Sequence, residues 1–251
     1  MHFIGIAALK TQEDMQPQLI VALDIPGTDG ITPLVNSLPS DIQWYKVGLE
    51  LFAGSGPEAL LPLRSAGKRI FLDLKLHDIP NTVARAVASV ARHGVDLLTL
   101  HAGGGRDMLR AAVESAAAFG SARPRLLAVT TLTSLSEEDL RDIGISRGLL
   151  EHTLRLGEMA VAAGVDGLIC SPHEAREFRR LLGNKPILVT PGIRAAGADV
   201  GDQKRVATPE MAIRAGADFL VVGRPILAAD SPDSAAREIL RQMAAACSGE
   251  K

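Results

Sequence analysis

Short apolar runs alternate with amphipathic segments along most of this chain. The apolar runs predict strands at residues 18–24, 43–49, from 71 onward, 95–101, 125–131, 166–170, 186–190 and 218–223. Apolar residues at helical spacing predict helices at 31–38, 57–66, 83–92, 106–119, 137–142, 149–163, 173–182, 209–215 and 234–246. Several helices stop at a glycine, such as Gly94 and Gly164, and Thr208 is a candidate N-cap.

Regular alternation of strands and helices predicts a parallel sheet. The pattern repeats eight times, at about 30 residues per unit, within 251 residues, and this is the usual size of a (β/α)8 barrel. We therefore expect an α/β protein with a single-domain (β/α)8 TIM barrel at residues 18–251, after an N-terminal extension at residues 1–17. An open doubly wound sheet is the alternative, although no G-x-G-x-x-G follows the first strand.

The stretch 71–82 carries an unusual combination of charges. Leucines alternate with Asp73, Lys75 and His77, so the ionisable side chains should share one face of the third strand. Asp78 follows just after the strand. Burying such charges is costly unless they are paired. A purely structural explanation for Asp73 and Lys75 is therefore harder to find than a functional one.

Polar residues also end other predicted strands, and strand C-termini carry the active site in this type of barrel. They include Asp24, Lys46 and His101, and each has a structural alternative. Asp24 can cap the following turn, and His101 is more often a structural hydrogen-bonding residue. Lys46 can extend to solvent or pair with Glu50. Asp78, taken alone, is better explained as the N-cap of the next helix.

The loops after the last two strands carry a second signal. These loops commonly form a phosphate site in (β/α)8 barrels. Gly223 would allow a ligand to approach the backbone, and Arg224 has a planar group suited to phosphate. Arg194 and Gln203 lie on the preceding loop. The alternative for both arginines is solvation at the surface, but their position favours a phosphate site.

Composition and charge argue against several classes of protein. The net charge is −2 and aromatic residues make up 3%, which disfavours a nucleic-acid or anionic-membrane binder. Cys170 and Cys247 lie in unrelated contexts and are expected to be reduced thiols. We find no signal-peptide pattern and no apolar run that could span a bilayer, so we expect a cytoplasmic protein with no membrane partner.

A metal site is not favoured by the predicted charges. The spacing of Asp73 and Asp78 could suit Mg²⁺. Lys46 and Lys75, however, would put cationic charge where the charge of the metal belongs. We therefore expect a site without a metal ion.

Seven short motifs at the predicted strand ends form a set. They are Ala22-Leu-Asp24, Lys46-Val-Gly48, Asp73-Leu-Lys75-Leu-His-Asp78-Ile-Pro-Asn-Thr82, Leu132-Thr-Ser134, Pro191-Gly-Ile-Arg194, Asp202-Gln203 and Val222-Gly-Arg224. The set resembles the orotidine 5′-phosphate decarboxylase family from Val21 to about Arg224. Mg²⁺-dependent sugar-phosphate relatives share the D-x-K-x-x-D core but typically carry Glu in place of Lys46.

The resemblance implies decarboxylation of orotidine 5′-phosphate to UMP, the last step of pyrimidine synthesis, without metal or cofactor. It implies a charge network of Lys46, Asp73, Lys75 and Asp78, in which Lys75 stabilises and protonates a C6 carbanion. It also implies a homodimer in which Asp78 and Thr82 enter the partner's site. The implied substrate contacts are Asp24 and Lys46 for ribose, Thr133 and Ser134 for the pyrimidine, Gln203, Gly223 and Arg224 for phosphate, and Arg194 on the closing loop.

Two alternatives stay open at this point. One is a Mg²⁺-dependent sugar-phosphate decarboxylase or aldolase of the same superfamily. The other is a non-catalytic barrel that binds a phosphate ligand, although such a protein gives no reason for Lys75.

Overall fold

Eight parallel strands form a closed barrel in the described part of the chain. The computed structural model describes residues 16–194 and 207–248. The strands are β1 (Gln18–Ala22), β2 (Trp44–Val47), β3 (Arg69–Leu76), β4 (Leu97–His101), β5 (Arg125–Val129), β6 (Gly167–Ile169), β7 (Ile187–Thr190) and β8 (Phe219–Val222). Each strand pairs with its neighbour in sequence, and β8 pairs with β1. The predicted single-domain (β/α)8 barrel is confirmed.

Helices follow the strands around the barrel. They are α1 (Ile31–Ser37), α2 (Leu49–Ser55), α3 (Leu61–Ser65), α4 (Pro80–Ala91), α5 (Gly105–Ala117), α6 (Glu137–Asp142), α7 (Leu149–Ala163), α8 (Pro172–Leu182), α9 (Pro209–Arg214), α10 (Arg224–Leu227) and α11 (Pro232–Ser248). Among the residues described, none of these helices is long and apolar enough to cross a membrane.

Most predicted helices are confirmed, but the region after β2 was predicted wrongly. The expected single helix at 57–66 consists of a 3-10 turn (Gly56–Leu60) followed by α3, and α2 precedes both. The short helix α10 was not predicted either. Residues 1–15 of the predicted extension at 1–17 and the loop 195–206 with Gln203 lie outside the described residues.

Two predicted helix caps have different outcomes. The Thr208 side chain accepts a hydrogen bond from the Met211 backbone N–H, so this N-cap is confirmed. The N-cap of α4, in contrast, is Ile79, which makes no side-chain cap. Asp78 accepts a hydrogen bond from the Ile79 backbone N–H at 2.6 Å instead. The structural explanation of Asp78 as a helix cap is therefore wrong.

Two apolar layers cover the two faces of the sheet, as expected for a parallel sheet buried on both sides. The outer layer packs strand residues such as Val21 and Leu72 against the helices. The inner layer takes at least one side chain from every strand, and Trp44 meets Phe219 edge-on within it at 5.0 Å between ring centroids. Trp44 and Phe219 are the first residues of β2 and β8, so their rings fill the barrel near the N-terminal ends of the strands.

Strand β3 is irregular at the segment that carries its charges. Leu72 pairs with Leu98 and Leu76 pairs with Leu100, so β3 has extra residues opposite β4. Lys75 has a φ of +50°, and it is the one non-glycine residue with a positive φ in the described ranges. The expected regular alternation is therefore interrupted by a bulge. Bulges frequently re-aim side chains next to active sites.

Candidate active site

A cavity of about 610 Å³ opens at the C-terminal ends of the strands. Its apolar wall includes Phe71, Ile169 and Val221. The cavity brings together eight of the predicted site residues: Asp24, Lys46, Asp73, Lys75, Thr133, Arg194, Gly223 and Arg224. Asp78, Thr82 and Ser134 lie outside it and are exposed. The structure therefore places residues from six different strand ends around one concave site.

Four side chains in the cavity form a row of alternating charges. The Lys46 ammonium lies 3.1 Å from a carboxylate oxygen of Asp24 and 3.7 Å from Oδ2 of Asp73. The Lys75 ammonium donates to both oxygens of Asp73 at 2.9 Å. Asp73 thus lies between two ammonium groups, and this pairing offsets the cost of burying three of the charges. Lys46 pairs with Asp24 and not with Glu50, so that alternative is wrong.

Asp73 is the more buried of the two carboxylates in the row, and it lies near both ammonium groups. Burial by itself raises the pKa of Asp73, because it disfavours the charged form. The charges of Lys75 and Lys46, together with hydrogen bonds from Lys75 and Thr99, outweigh burial and leave the Asp73 pKa below its ordinary value. Asp73 is therefore an anion at neutral pH although its side chain is only 13% exposed.

The backbone at Lys75 stores strain beside these charges. A φ of +50° is unfavourable for a residue with a Cβ atom, and such conformations cost on the order of 1–3 kcal/mol. They persist where the surroundings determine them, and they cluster at functional sites. Here the strained residue is the same one whose ammonium group lies over Asp73.

Two glycines allow charged groups to approach the backbone closely. A Cβ atom at Gly48 would lie 2.7 Å from the Lys46 ammonium nitrogen. A Cβ atom at Gly223 would lie 3.0 Å from a carboxylate oxygen of Asp24. A Cβ atom would therefore displace the Lys46 ammonium at Gly48 and would shift the Asp24 carboxylate slightly at Gly223.

Two arginines border the cavity on the loops after β7 and β8. Arg194 donates to the carbonyl oxygen of Ile193 at 2.9 Å, and Arg224 is the first residue of α10. Both line the cavity, and strands β7 and β8 pair directly. This part of the cavity is therefore lined by two guanidinium groups, and the planar guanidinium is suited to binding phosphate.

The histidines of this region contact each other beside the cavity. The rings of His77 and His101 lie 5.4 Å apart between centroids. Burial lowers the pKa of His101 most, the electrostatic influence of His77 and Lys75 lowers it further, and the Asp73 carboxylate opposes them. His101 is therefore neutral at pH 7.

Several residues of the site were not singled out from the sequence. Glu50, Thr131 and Cys170 also line the cavity, and Thr99 donates a hydrogen bond to Asp73. The alternation of β4 could have identified Thr99, because Thr99 shares a face with His101 two residues later. Both cysteines are free thiols, as predicted, and burial raises the pKa of Cys170.

The residues described include no group of three or more His, Cys, Asp or Glu side chains arranged to hold a metal ion. The two oxygens of Asp73, the carboxylate at the centre of the site, are both engaged by the Lys75 ammonium. The expectation of a metal-free site stays a prediction.

Comparison with known proteins places the chain in a family. The sequence model of the orotidine 5′-phosphate decarboxylase / HUMPS family matches residues 17–239. The chain belongs to this family. A family member from Nostoc sp., an orotidine 5′-phosphate decarboxylase, is 49% identical over 231 residues, which are 90% of this chain and 97% of that protein. The orotidine 5′-phosphate decarboxylase of Moorella thermoacetica is 47% identical over 90% of this chain and 92% of its own length.

A solved family structure has the same architecture. The crystal structure of orotidine 5′-phosphate decarboxylase from Lactobacillus acidophilus superposes with a TM-score of 0.80 at 38% sequence identity. The match covers 90% of this chain and 99% of that chain. Membership of the orotidine 5′-phosphate decarboxylase family thus rests on both sequence and fold.

Proposed function

We propose that this protein catalyses the decarboxylation of orotidine 5′-phosphate to UMP without metal or cofactor. The observation that carries the proposal is the Lys46–Asp73–Lys75 row at the base of the cavity, in a chain of the orotidine 5′-phosphate decarboxylase family. The row offers a cation that can donate a proton, held against a carboxylate that stays ionised.

The reaction breaks the bond between C6 of the pyrimidine and its carboxylate carbon. CO₂ leaves, and the bonding electron pair stays on C6 as a carbanion in the plane of the ring. The Lys75 ammonium stabilises this developing charge and then donates a proton to C6, so that C6–H replaces C6–CO₂⁻. The neutral amine of Lys75 regains a proton from water before the next turnover.

Asp73 contributes in two ways. It orients the Lys75 ammonium through two hydrogen bonds of 2.9 Å. With the substrate bound, its negative charge would lie near the substrate carboxylate, and the departure of neutral CO₂ removes the repulsion between them. The low pKa of Asp73 keeps that charge in place at neutral pH.

Further residues, of which Ser134 lies outside the cavity and Gln203 outside the described residues, hold the rest of the nucleotide. Asp24 and Lys46 contact the ribose hydroxyls, and Thr133 and Ser134 border the pyrimidine. Arg224, the Gly223 backbone and Gln203 bind the phosphate, while Arg194 belongs to the loop that closes over it. Binding energy from the phosphate, which is remote from the reacting bond, is used to assemble the site around C6.

A second subunit completes the site in this proposal. Asp78 and Thr82 lie outside the cavity of their own barrel, on an exposed segment beside its rim. Between them, Ile79 leaves 65% of its surface exposed. We propose that this segment packs against a second copy of the chain and that Asp78 extends the partner's charge row.

One assay tests the proposed function. Pyrimidine absorbance is followed after mixing the protein with orotidine 5′-phosphate, with and without EDTA, and with Lys75→Ala as the matched inactive variant. We expect EDTA-resistant turnover by the wild type and none by the variant. Turnover that EDTA abolishes would favour a Mg²⁺-dependent relative. Binding of UMP without any CO₂ release would favour a non-catalytic barrel.

A further inference from the structure

Thr99 occupies a special position opposite the bulge of β3. Because Leu72 pairs with Leu98 and Leu76 pairs with Leu100, the segment Asp73-Leu-Lys75 faces Thr99 alone. Thr99 is completely buried and lies behind the cavity wall. The register of the two strands therefore leaves Thr99 as the one β4 residue opposite the three residues of the irregular segment.

The hydroxyl group of Thr99 makes two hydrogen bonds to this segment. Its oxygen accepts from the backbone N–H of Lys75 at 2.9 Å. The same hydroxyl donates to Oδ1 of Asp73 at 2.9 Å. The first bond replaces a backbone partner that the bulge removes, and the second leaves the Asp73 carboxylate with a fixed orientation.

We propose that Thr99 is a positioning residue that holds Lys75 in its left-handed backbone conformation and aligns Asp73 beneath the Lys75 ammonium. The inference rests on the proposed function, because it assigns Thr99 a role in the same decarboxylation. Thr99 acts only through Asp73 and Lys75, since it does not line the cavity.

Lys75 can keep its strained backbone only while its surroundings hold it there. A positive φ at a residue with a Cβ atom is maintained only where the surroundings over-determine it. Without the Thr99 oxygen, the Lys75 N–H loses its acceptor in a part-buried environment, and the segment can relax toward ordinary strand geometry. Such relaxation would move the Lys75 ammonium away from both the substrate carbon and Asp73.

The test compares Thr99→Val with Thr99→Ser. Valine keeps the size and the branched Cβ of threonine but has no hydroxyl group. We expect kcat of Thr99→Val to fall about 10-fold or more, the loss that accompanies one hydrogen bond to a charged group. KM and the affinity for UMP should stay within about twofold. Thr99→Ser, which keeps the hydroxyl, should retain most of the wild-type kcat.

Thr130→Val is the matched control. Thr130 is buried at the end of the neighbouring strand, and its hydroxyl donates to the backbone carbonyl of Ile169 at 3.2 Å instead of to a charged group. Thr130→Val should therefore keep kcat within about twofold of wild type. Should Thr99→Val be unfolded at the assay temperature, Thr99→Ala, which also lacks the hydroxyl, replaces it with the same expected outcome.

The pH profile separates positioning from general destabilisation. The charged groups that act on Asp73 are Lys75 on β3 and Lys46 on β2, and His101 on β4 is electrostatically coupled to it. Losing the Thr99 hydrogen bond removes one influence that lowers the pKa of Asp73. The acid limb of kcat should therefore move to higher pH in Thr99→Val, and it should stay in place in Thr130→Val.

The outcomes are distinguishable. An active wild type with a Thr99→Val kcat within about twofold would overturn this inference alone. A lower kcat with an unmoved acid limb, or no recovery in Thr99→Ser, would also overturn it, because the role would then be structural. A wild type that releases no CO₂ would overturn the proposed function and this inference together.

Discussion

Substituting alanine for Gly48 displaces the Lys46 ammonium without changing any charge. The new Cβ atom would lie 2.7 Å from the ammonium nitrogen, whereas ordinary contact begins at 3.4 Å, so the nitrogen must retreat by about 0.7 Å. The backbone of Gly48 is extended, with φ −97° and ψ −174°, so alanine is tolerated there. The displacement disturbs the 3.1 Å bond to Asp24 and the 3.7 Å contact with Asp73.

We expect a large effect on catalysis and a small one on stability. A misplacement of about 1 Å in a catalytic array can cost about 100-fold, so kcat/KM for orotidine 5′-phosphate should fall about 10- to 100-fold, or about 1.4–2.7 kcal/mol. The free energy of unfolding should change by no more than about 1 kcal/mol, because alanine is only a poorer N-cap than glycine.

Gly27→Ala is the matched control for this substitution. Gly27 likewise has an extended backbone, and it is the N-cap residue of the 3-10 turn Thr28–Gly30 that follows β1. A Cβ atom at Gly27, however, would meet nothing within 4 Å. Both variants are compared by steady-state kinetics and by urea unfolding. Equal kcat/KM values for the Gly48→Ala and Gly27→Ala proteins would refute the argument that the place of Lys46 depends on the bare backbone at Gly48.

Three further predictions concern the phosphate, the subunit interface and pH. Arg224→Ala should lower kcat/KM by about 100-fold or more, and added phosphite dianion should partly restore turnover of a substrate that lacks phosphate; no restoration would contradict a phosphate-binding role. Mixing inactive Asp73→Asn and Asp78→Asn proteins should recover some activity after subunit exchange, because one site of the hybrid dimer is intact; no recovery would argue against shared sites. The pKa of His101 is lowered in the folded protein, mainly by burial, so the unfolded state binds the proton first as the pH falls. The contribution of neutral His101 to the free energy of unfolding is therefore fully present above about pH 6.5 and is lost as the pH falls further. In His101→Gln, the urea midpoint should depend less on pH between about pH 7 and 5 than it does in the wild type. The same pH dependence in both proteins would refute this prediction.

The strands could be predicted because parallel strands buried on both faces are nearly continuous apolar runs. The predicted strand ends were less accurate than the strands themselves. The first strand was expected to reach Asp24, but β1 ends at Ala22, so Asp24 lies in the following loop. Helices α2 and α10 were missed for a local reason. Neither begins with a side-chain cap, and α10 spans only Arg224–Leu227, which is too short to show a helical period.

The sequence by itself determined the order of the strands, the barrel and the residue types at the strand ends, because these depend on local periodicity and on motifs. Only the tertiary structure decided which charges meet. Closure of the barrel brings Lys46 of β2 to Asp24 after β1 and to Asp73 of β3, and the register of β3 with β4 places Thr99 beneath the strained Lys75. Such contacts join residues more than twenty positions apart, and their distances follow from pairing and bulges that no local pattern encodes.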